Sequence, residues 1–341
     1  MDNSNNPNES NSEQHEKYGW QDESEPQPNK PQPEKRRGSG TRILPLIIGV
    51  LLIGAGVLSL ISIVAAPMFF VHRTSVSVPI TIDVPVEVQA YMPFSVNGGT
   101  SIESQIDLNE LNATEISVSA AVAEIFITAH DAEELDIRIE MYNDVKYSVS
   151  TSGSRVIIDN DNRLASRVGR SSTDKLFINV PRSYNGNLTV RLAAGRADIS
   201  GVSGDNIKIE MAAGDFTLAD IEYNVLRLEM AAGSLKGRNI SAERLDLNAS
   251  AGVIDLAGDL GVTDSAFAAA SLTLDYNAVP SSINLESAVG SANIFLPSDA
   301  EFNLRTLAVM GRVTNDFTTR VDSANVISIN MALGQASIRK K

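Results

Sequence analysis

From Leu188 onward, apolar and polar residues alternate: Leu188, Val190 and Leu192 are interleaved with Thr189 and Arg191. A period of two is what a strand with one buried face requires. The alternation breaks at Ala193-Ala194-Gly195 and then restarts. Ile207 to Gly214 reads IKIEMAAG, Leu226 to Gly233 reads LRLEMAAG and Leu245 to Gly252 reads LDLNASAG, so Gly195, Gly214, Gly233 and Gly252 recur every 19 residues. Past each small-residue corner the period of two resumes, with Phe216 and Leu218, Ile254 and Leu256, and Ala292, Ile294 and Leu296. Turn signals such as Ser203-Gly204-Asp205-Asn206 close the unit. Each unit therefore supplies two short strands and two bends.

The spacing continues to Ser271 and Gly290, then loosens through Gly311 and Gly334. Ser271 stands where glycine is expected, with Leu272 and Leu274 out of phase, which predicts a bulge in that rung. Upstream, ISVSAAVAEIFI after Ile116 and YSVSTSGSRVII after Tyr147 read as diverged copies leading into a longer loop over 160–174. The repeat domain therefore spans 115–341. A 19-residue unit is too short for a propeller blade and has no helical period, which leaves stacked coils. The fold class is all-β, a parallel β-solenoid. Small corner residues suit a narrow interior where backbone passes close to backbone. At about 4.8 Å per rung, some ten rungs make a rod of roughly 50 Å. Right-handed winding is expected as the prior, because most parallel crossovers have that hand, and periodicity itself does not fix it.

The N-terminal third has a different pattern. Residues 1–42 are nearly all Asn, Ser, Gln, Glu, Pro and Lys, without Ile, Leu or Val. They cannot bury enough apolar surface to offset chain entropy, so a disordered tail is expected. Residues 43–71 carry no charge and include LPLIIGVLLIGAGVLSLISIVAA, long enough to cross about 30 Å of hydrocarbon as a transmembrane helix. Lys35, Arg36, Arg37 and Arg42 precede this run, and Arg73 alone follows it before Asp83 and Glu87. The positive-inside rule then places the N-terminus in the cytoplasm and the C-terminal domain outside the cell, on a single-pass cell-membrane protein. Residues 72–114 are expected to be an extracellular linker able to hold a strand.

Charge and composition narrow the chemistry. After Val71 there are 34 Asp and Glu against 22 Lys and Arg, a net charge of −12, which disfavours nucleic acid as a partner. The chain has no Cys, so disulfides, thiolate metal sites and cysteine nucleophiles are excluded. Its three His are His15 in the tail, His72 beside the apolar run and His130 in an expected turn with Asp131. They do not assemble a catalytic triad or a zinc site. Asp198, Asp215, Asp255 and Asp275 are scattered over corners and turns, where Asp is common for backbone reasons. Asp159-Asn160-Asp161-Asn162 lacks the glycine and distal glutamate of an EF-hand. The Asn-x-Ser/Thr patterns at Asn112, Asn187, Asn239 and Asn248 are short enough to arise by chance. The expectation is a non-enzyme with no cofactor, no metal and no catalytic residue.

Two outward columns stand out: Arg191, Glu210, Glu229 and Asn248 in one, Thr189, Lys208, Arg227 and Asp246 in the other. Their mixed signs read as a solvated face that discourages fibre-like growth. The Leu-x-Val-x-Leu-Ala-Ala-Gly repeats, with FINVPRSYNGNLTVRLAAG and IFLPSDAEFNLRTLAVMG, resemble the adhesin-type β-strand-repeat domains of bacterial envelope proteins, also called toast-rack domains. The resemblance covers roughly 115–341. It implies a β-solenoid at the bacterial surface, tethered by an N-terminal helix, in proteins of adhesion or envelope stress; it carries no catalytic motif. The function expected is a membrane-anchored, non-enzymatic adhesion or envelope-binding module whose partners are the bilayer and an envelope polymer or surface protein. The alternative is an envelope-stress sensor whose tail engages a cytoplasmic protein.

Overall fold

The computed structural model describes residues 89–96, 99–142, 147–160 and 173–341. The expected tail, the apolar run 43–71 and most of the loop over 160–174 lie outside the described residues. All of the described residues belong to one unit, Ile43–Lys341. They form twelve strands in a single sheet, with no helix among them.

Three strands carry the repeat register. β3 (Glu115–His130) pairs in parallel with β8 (Asn187–Ser200), which pairs in parallel with β9 (Ser203–Tyr276). β9 is a continuous extended run of 74 residues that winds upon itself. The register aligns Ile116, Leu188 and Ile207; Val118, Val190 and Ile209; and Ala120, Leu192 and Met211. All nine are buried. Beyond the corner, Ile125, Ala197 and Phe216 align, as do Ile127, Ile199 and Leu218, and these are buried too. The period of two thus becomes files of stacked side chains in which each rung covers the last. Each fully buried Leu, Ile or Phe contributes about 1.5–3 kcal/mol.

The corner is the tightest point. Gly195, Gly214, Gly233 and Gly252 have φ of 134°, 137°, 132° and 128°. A Cβ on any of the last three would collide with the carbonyl oxygen of the glycine one rung below, and on Gly195 with that of Ala123. Glycine is needed here for its conformation and for its lack of a side chain together.

A second file of unusual backbone marks the opposite bend. Gly201, Asp220, Asn239 and Gly258, again 19 residues apart, have φ of 68°, 54°, 53° and 152°. Asp and Asn are the non-glycine residues that best tolerate this region. Asn239 Nδ2 donates to Asp220 Oδ1 at 2.8 Å, tying one bend to the next.

Three sequence expectations are corrected. The residue opposite Gly290 is Ala270 and not Ser271, and the ladder from Thr263↔Ile283 to Asp275↔Phe295 keeps one register. No bulge forms there, and Leu272 and Leu274 are in phase and buried. The corner tolerates Ala270 because its backbone is outside the positive-φ set. Next, Tyr147–Ser152 (β5) and Arg155–Asn160 (β6) form an antiparallel hairpin and not a coil. Gly153, at φ 60°, turns the chain too tightly for another rung. Last, the rungs do not follow chain order at the C-terminus. β12 (Val326–Lys340) lies between β10 (Ser282–Leu296) and β11 (Asn303–Asn315), so Gly290, Gly334 and Gly311 stack in that order.

The N-terminal side of the ladder is closed by other strands. β6 and β7 (Lys175–Pro181) each run parallel to one half of β3. β4 (Glu134–Met141) joins β7 antiparallel, β2 (Gly99–Asp107) joins β4, and β1 (Gln89–Val96) joins β2. Two strands therefore lie within 72–114, and Ile106 and Leu108 are part of the core.

Gly214→Ala is expected to lose about 3 kcal/mol or more in urea unfolding. Gly153→Ala, which meets no atom within 4 Å, is expected to lose only about 1 kcal/mol. Equal losses would show that corner approach is not the limiting constraint.

Candidate functional site

The outward residues of the rungs form two polar files. One contains Ser117, Thr189 and Lys208 in register, and near the other end Asp264, Asn284, Ser328 and Arg305. The other contains Ser119, Arg191 and Glu210, and later Ala266, Glu286, Asn330 and Leu307.

Ion pairs connect these residues across rungs. Arg191 Nε donates to Glu210 Oε2 at 2.8 Å. Lys208 Nζ lies beside both Glu210 and, at 3.3 Å, Glu229 Oε1. Arg227 Nε lies 3.3 Å from Asp246 Oδ2. Arg244 bridges two carboxylates, donating to Asp246 Oδ1 at 2.7 Å and to Asp264 Oδ2 at 2.6 Å. Like charges on neighbouring rungs would repel, and in each case a cation is interposed between them. Single exposed pairs of this kind stabilise little, about 0–1 kcal/mol. Their larger effect is to hold side chains in fixed positions.

Between these walls lies a groove of about 610 Å³, lined chiefly by Lys208, Arg227, Glu229, Arg244, Asp246 and Asn248 on earlier rungs and by Asp264, Ser265, Ala266, Asn284 and Glu286 on later ones. Its cause is visible in the second file. Ala266 stands beside Glu286 in the register, and its short side chain leaves a depression where other rungs carry Glu or Asn. The lining offers carboxylate and amide acceptors beside guanidinium and amide donors. That set can make paired hydrogen bonds to hydroxyl, amide or charged groups on an elongated ligand.

Glu210 has the most informative protonation behaviour in this region. Burial pushes its carboxyl up, but the Lys208 hydrogen bond and the Arg191 and Lys208 charges outweigh burial and hold it below the usual carboxylate range. Burial lowers the Lys208 ammonium, and its bonds to Glu210 and Glu229 more than restore it.

The other acidic candidates are paired or apart. Asp198 pairs with Arg196 at 2.9 Å, Asp255 with Arg238 at 2.7 Å and Asp275 with Lys341. Asp215 stands one rung from Arg196 in the register. His130 ends β3, with Nε2 2.8 Å from the carbonyl of Glu134, and Asp131 pairs with Arg182. Asp159 and Asn160 close β6, while residues 161 and 162 lie outside the described residues. Among the described residues, no group of three or more His, Asp or Glu could hold a metal ion. The groove residues Arg244, Asp264, Ala266, Asn284 and Glu286 were not foreseen, because the repeat shortens between Gly252 and Ala270 and a strict spacing of 19 loses the file there. No helix among the described residues is long and apolar enough to cross a membrane.

A ladder of stacked parallel rungs with glycine corners defines a β-strand-repeat protein. Residues 113–338 match the Toastrack DUF4097 family, and the chain belongs to it. Three solved structures are similar at low identity. A candidate adhesin from Bacteroides fragilis is 13% identical, with 70% of this chain and 97% of that chain covered and a TM-score of 0.47. A candidate cell adhesion protein from Clostridium sporogenes is 11% identical, over 71% and 100% of the two chains, with a TM-score of 0.31. A candidate adhesin from Parabacteroides distasonis is 10% identical, over 71% and 98%, with a TM-score of 0.34. No curated protein matches the chain.

Because the folded Glu210 carboxyl lies below its unfolded value, its contribution is present above the unfolded pKa and is lost as pH falls through the folded one. Glu210→Gln is therefore expected to be less stable than wild type near neutrality, with the gap closing between about pH 6 and pH 3. Urea midpoints measured across that range check this; a gap independent of pH would assign the loss to packing.

Proposed function

We propose that this chain is a membrane-anchored, non-enzymatic binding module. Its apolar run 43–71 holds it in the cell membrane, the N-terminal tail is cytoplasmic, and the β-repeat domain is a right-handed solenoid outside the cell. That domain engages an envelope polymer or a surface protein through its polar groove.

The observation that carries this reading is the groove itself. It crosses consecutive rungs in one direction, so its lining repeats along the ladder, and the donors and acceptors are held in place by the pairs around Arg244 and Lys208. An extended polymer with a repeating unit suits such a surface better than a compact molecule does. Preordered side chains also reduce the entropy lost on binding. The groove is an open polar surface in which the carboxylates Asp246 and Asp264 are bridged by a guanidinium. That arrangement favours recognition over proton transfer.

The test uses the full-length protein in phosphatidylcholine nanodiscs, pelleted with purified peptidoglycan sacculi with and without their attached anionic polymer. Wild-type protein is expected in the pellet. Two variants, Ala266→Trp, which fills the depression, and Arg227→Ala with Arg244→Ala, which removes two donors, are each expected to bind at least about tenfold more weakly. Undiminished pelleting of both folded variants would remove the groove from the binding surface.

A further inference from the structure

Exposed apolar side chains are unevenly distributed over the ladder. Eight large ones are exposed among the described residues, and six of them, Val289, Leu307, Val309, Met310, Val321 and Leu333, fall within β10, β11, β12 and the segment joining the last two. Their order in the ladder explains the concentration. The corner position before the glycine is Ala194 and Ala213 in the middle of the ladder. At the C-terminal end it becomes Val289, Leu333 and Met310, stacked in register and exposed by 50%, 42% and 67%. Leu307 ends the polar file that elsewhere carries Arg191, Glu210 and Glu286, and is 49% exposed. A convex apolar corner thus replaces small and polar residues over three neighbouring rungs at this end, whereas at β3 Val122 occupies the same position singly.

β11 is also the outermost strand of the sheet. Across Asn303–Asn315 it carries Arg305 and Arg312 and no acidic residue, in a domain that is otherwise acidic. Both arginines are exposed, and neither has an ion-pair partner among the described residues. Acidic side chains resume only after the strand, at Asp316 and Asp322. The arginines flank the apolar segment Leu307–Met310 on both sides.

That placement argues against a second copy as the occupant. The antiparallel pairing that sets Leu307–Met310 against itself puts Leu307 opposite Met310, and therefore Arg305 opposite Arg312, twice. Like charges directly opposite one another destabilise a sheet pair, and charged residues on an edge are a recognised barrier to edge-to-edge association. An anionic surface has the complementary charge. The convex corner lacks a groove for a partner's side chains, whereas a fluid surface can adapt to it.

We infer that the C-terminal end of the ladder is a membrane-contact tip, in which Leu307, Val309, Met310 and Leu333 enter the interface of a bilayer containing anionic lipid while Arg305 and Arg312 meet its headgroup phosphates. This surface is separate from the polar groove. Apolar insertion beside basic residues is the general chemistry of interfacial binding.

The test again uses the full chain in nanodiscs of phosphatidylcholine alone, so that its own apolar run is already occupied. Capture of free vesicles is then measured, with vesicles of phosphatidylcholine or of phosphatidylcholine and phosphatidylglycerol at three to one. Wild-type protein is expected to capture the anionic vesicles at least about tenfold better than the neutral ones, and less well as salt is raised. Leu307→Ser with Met310→Ser, and separately Arg305→Gln with Arg312→Gln, are each expected to lose about tenfold. All four sites are exposed, so the variants should keep the wild-type unfolding midpoint, and Arg227→Ala with Arg244→Ala should capture vesicles normally. Equal capture of both vesicle types, no capture, or full capture by both tip variants would overturn the proposal. So would nanodisc pairing that is lost in the apolar variant, which would assign the tip to a second copy. Binding of polyglutamate with the same variant sensitivity would assign it to an acidic protein.

Discussion

The close approach of backbone to backbone at the glycine corner is the constraint on which the other features depend. At Gly214 the chain passes over Gly195 so tightly that a single methyl group would strike a carbonyl oxygen, and Gly233 and Gly252 repeat the contact. Because the corner has no room for a side chain at Gly195, Gly214, Gly233 and Gly252, these rungs must turn at the same place, and residues on either side fall into files. Interior files receive the Leu, Ile and Val residues; outward files receive the charges. A rung displaced by one residue would move its apolar set to the solvent face and bring a side chain into the corner at the same time. Two independent penalties therefore act against the same error, and the register needs no disulfide to hold it.

This double signal explains why the middle of the ladder could be read from the sequence. Between Leu188 and Gly252 the glycine spacing and the alternation agree, and the interior files emerge as expected. The second bend was equally available in the spacing of Gly201, Asp220, Asn239 and Gly258. It went unnoticed because Asp and Asn serve many turns, and their role shows only in a backbone φ near 54°. Where Ala270 replaces glycine, one of the two signals disappears. The strict count then passes to Ser271, and with it go Asp264, Ala266 and the far wall of the groove. The exchange of β11 and β12 had no local signature, since a parallel rung has the same alternation wherever it is inserted.

A parallel ladder must also end, and the two ends here are resolved differently. At β3 the parallel register is taken over by β6 and β7, and the strands beyond β7 run antiparallel. The free hydrogen-bonding groups of the first coil are consumed within the chain, and capping of this kind is a general need of repeat folds. At the other end the last segment turns inward. β12 occupies the slot between β10 and β11, with a full ladder on each side, so the final residues of the chain are held by two neighbours. The strand left outside is the shorter β11, whose inward positions Thr306 and Ala308 are small and exposed.

The chemical character of the surface follows from this geometry. In the middle of the ladder each outward residue has neighbours above and below, so a charge can be balanced by the next rung, as Arg244 balances Asp246 and Asp264. The partners that fix each side chain there are part of the fold. At β11 an outward residue has a neighbour on one side only. A charge placed there, such as Arg305 or Arg312, has no counter-ion among the described residues, and an apolar residue such as Met310 is 67% exposed. Repetition thus produces a self-balanced polar wall along the ladder and an unbalanced tip at its end, two surfaces of different chemistry from one repeating unit.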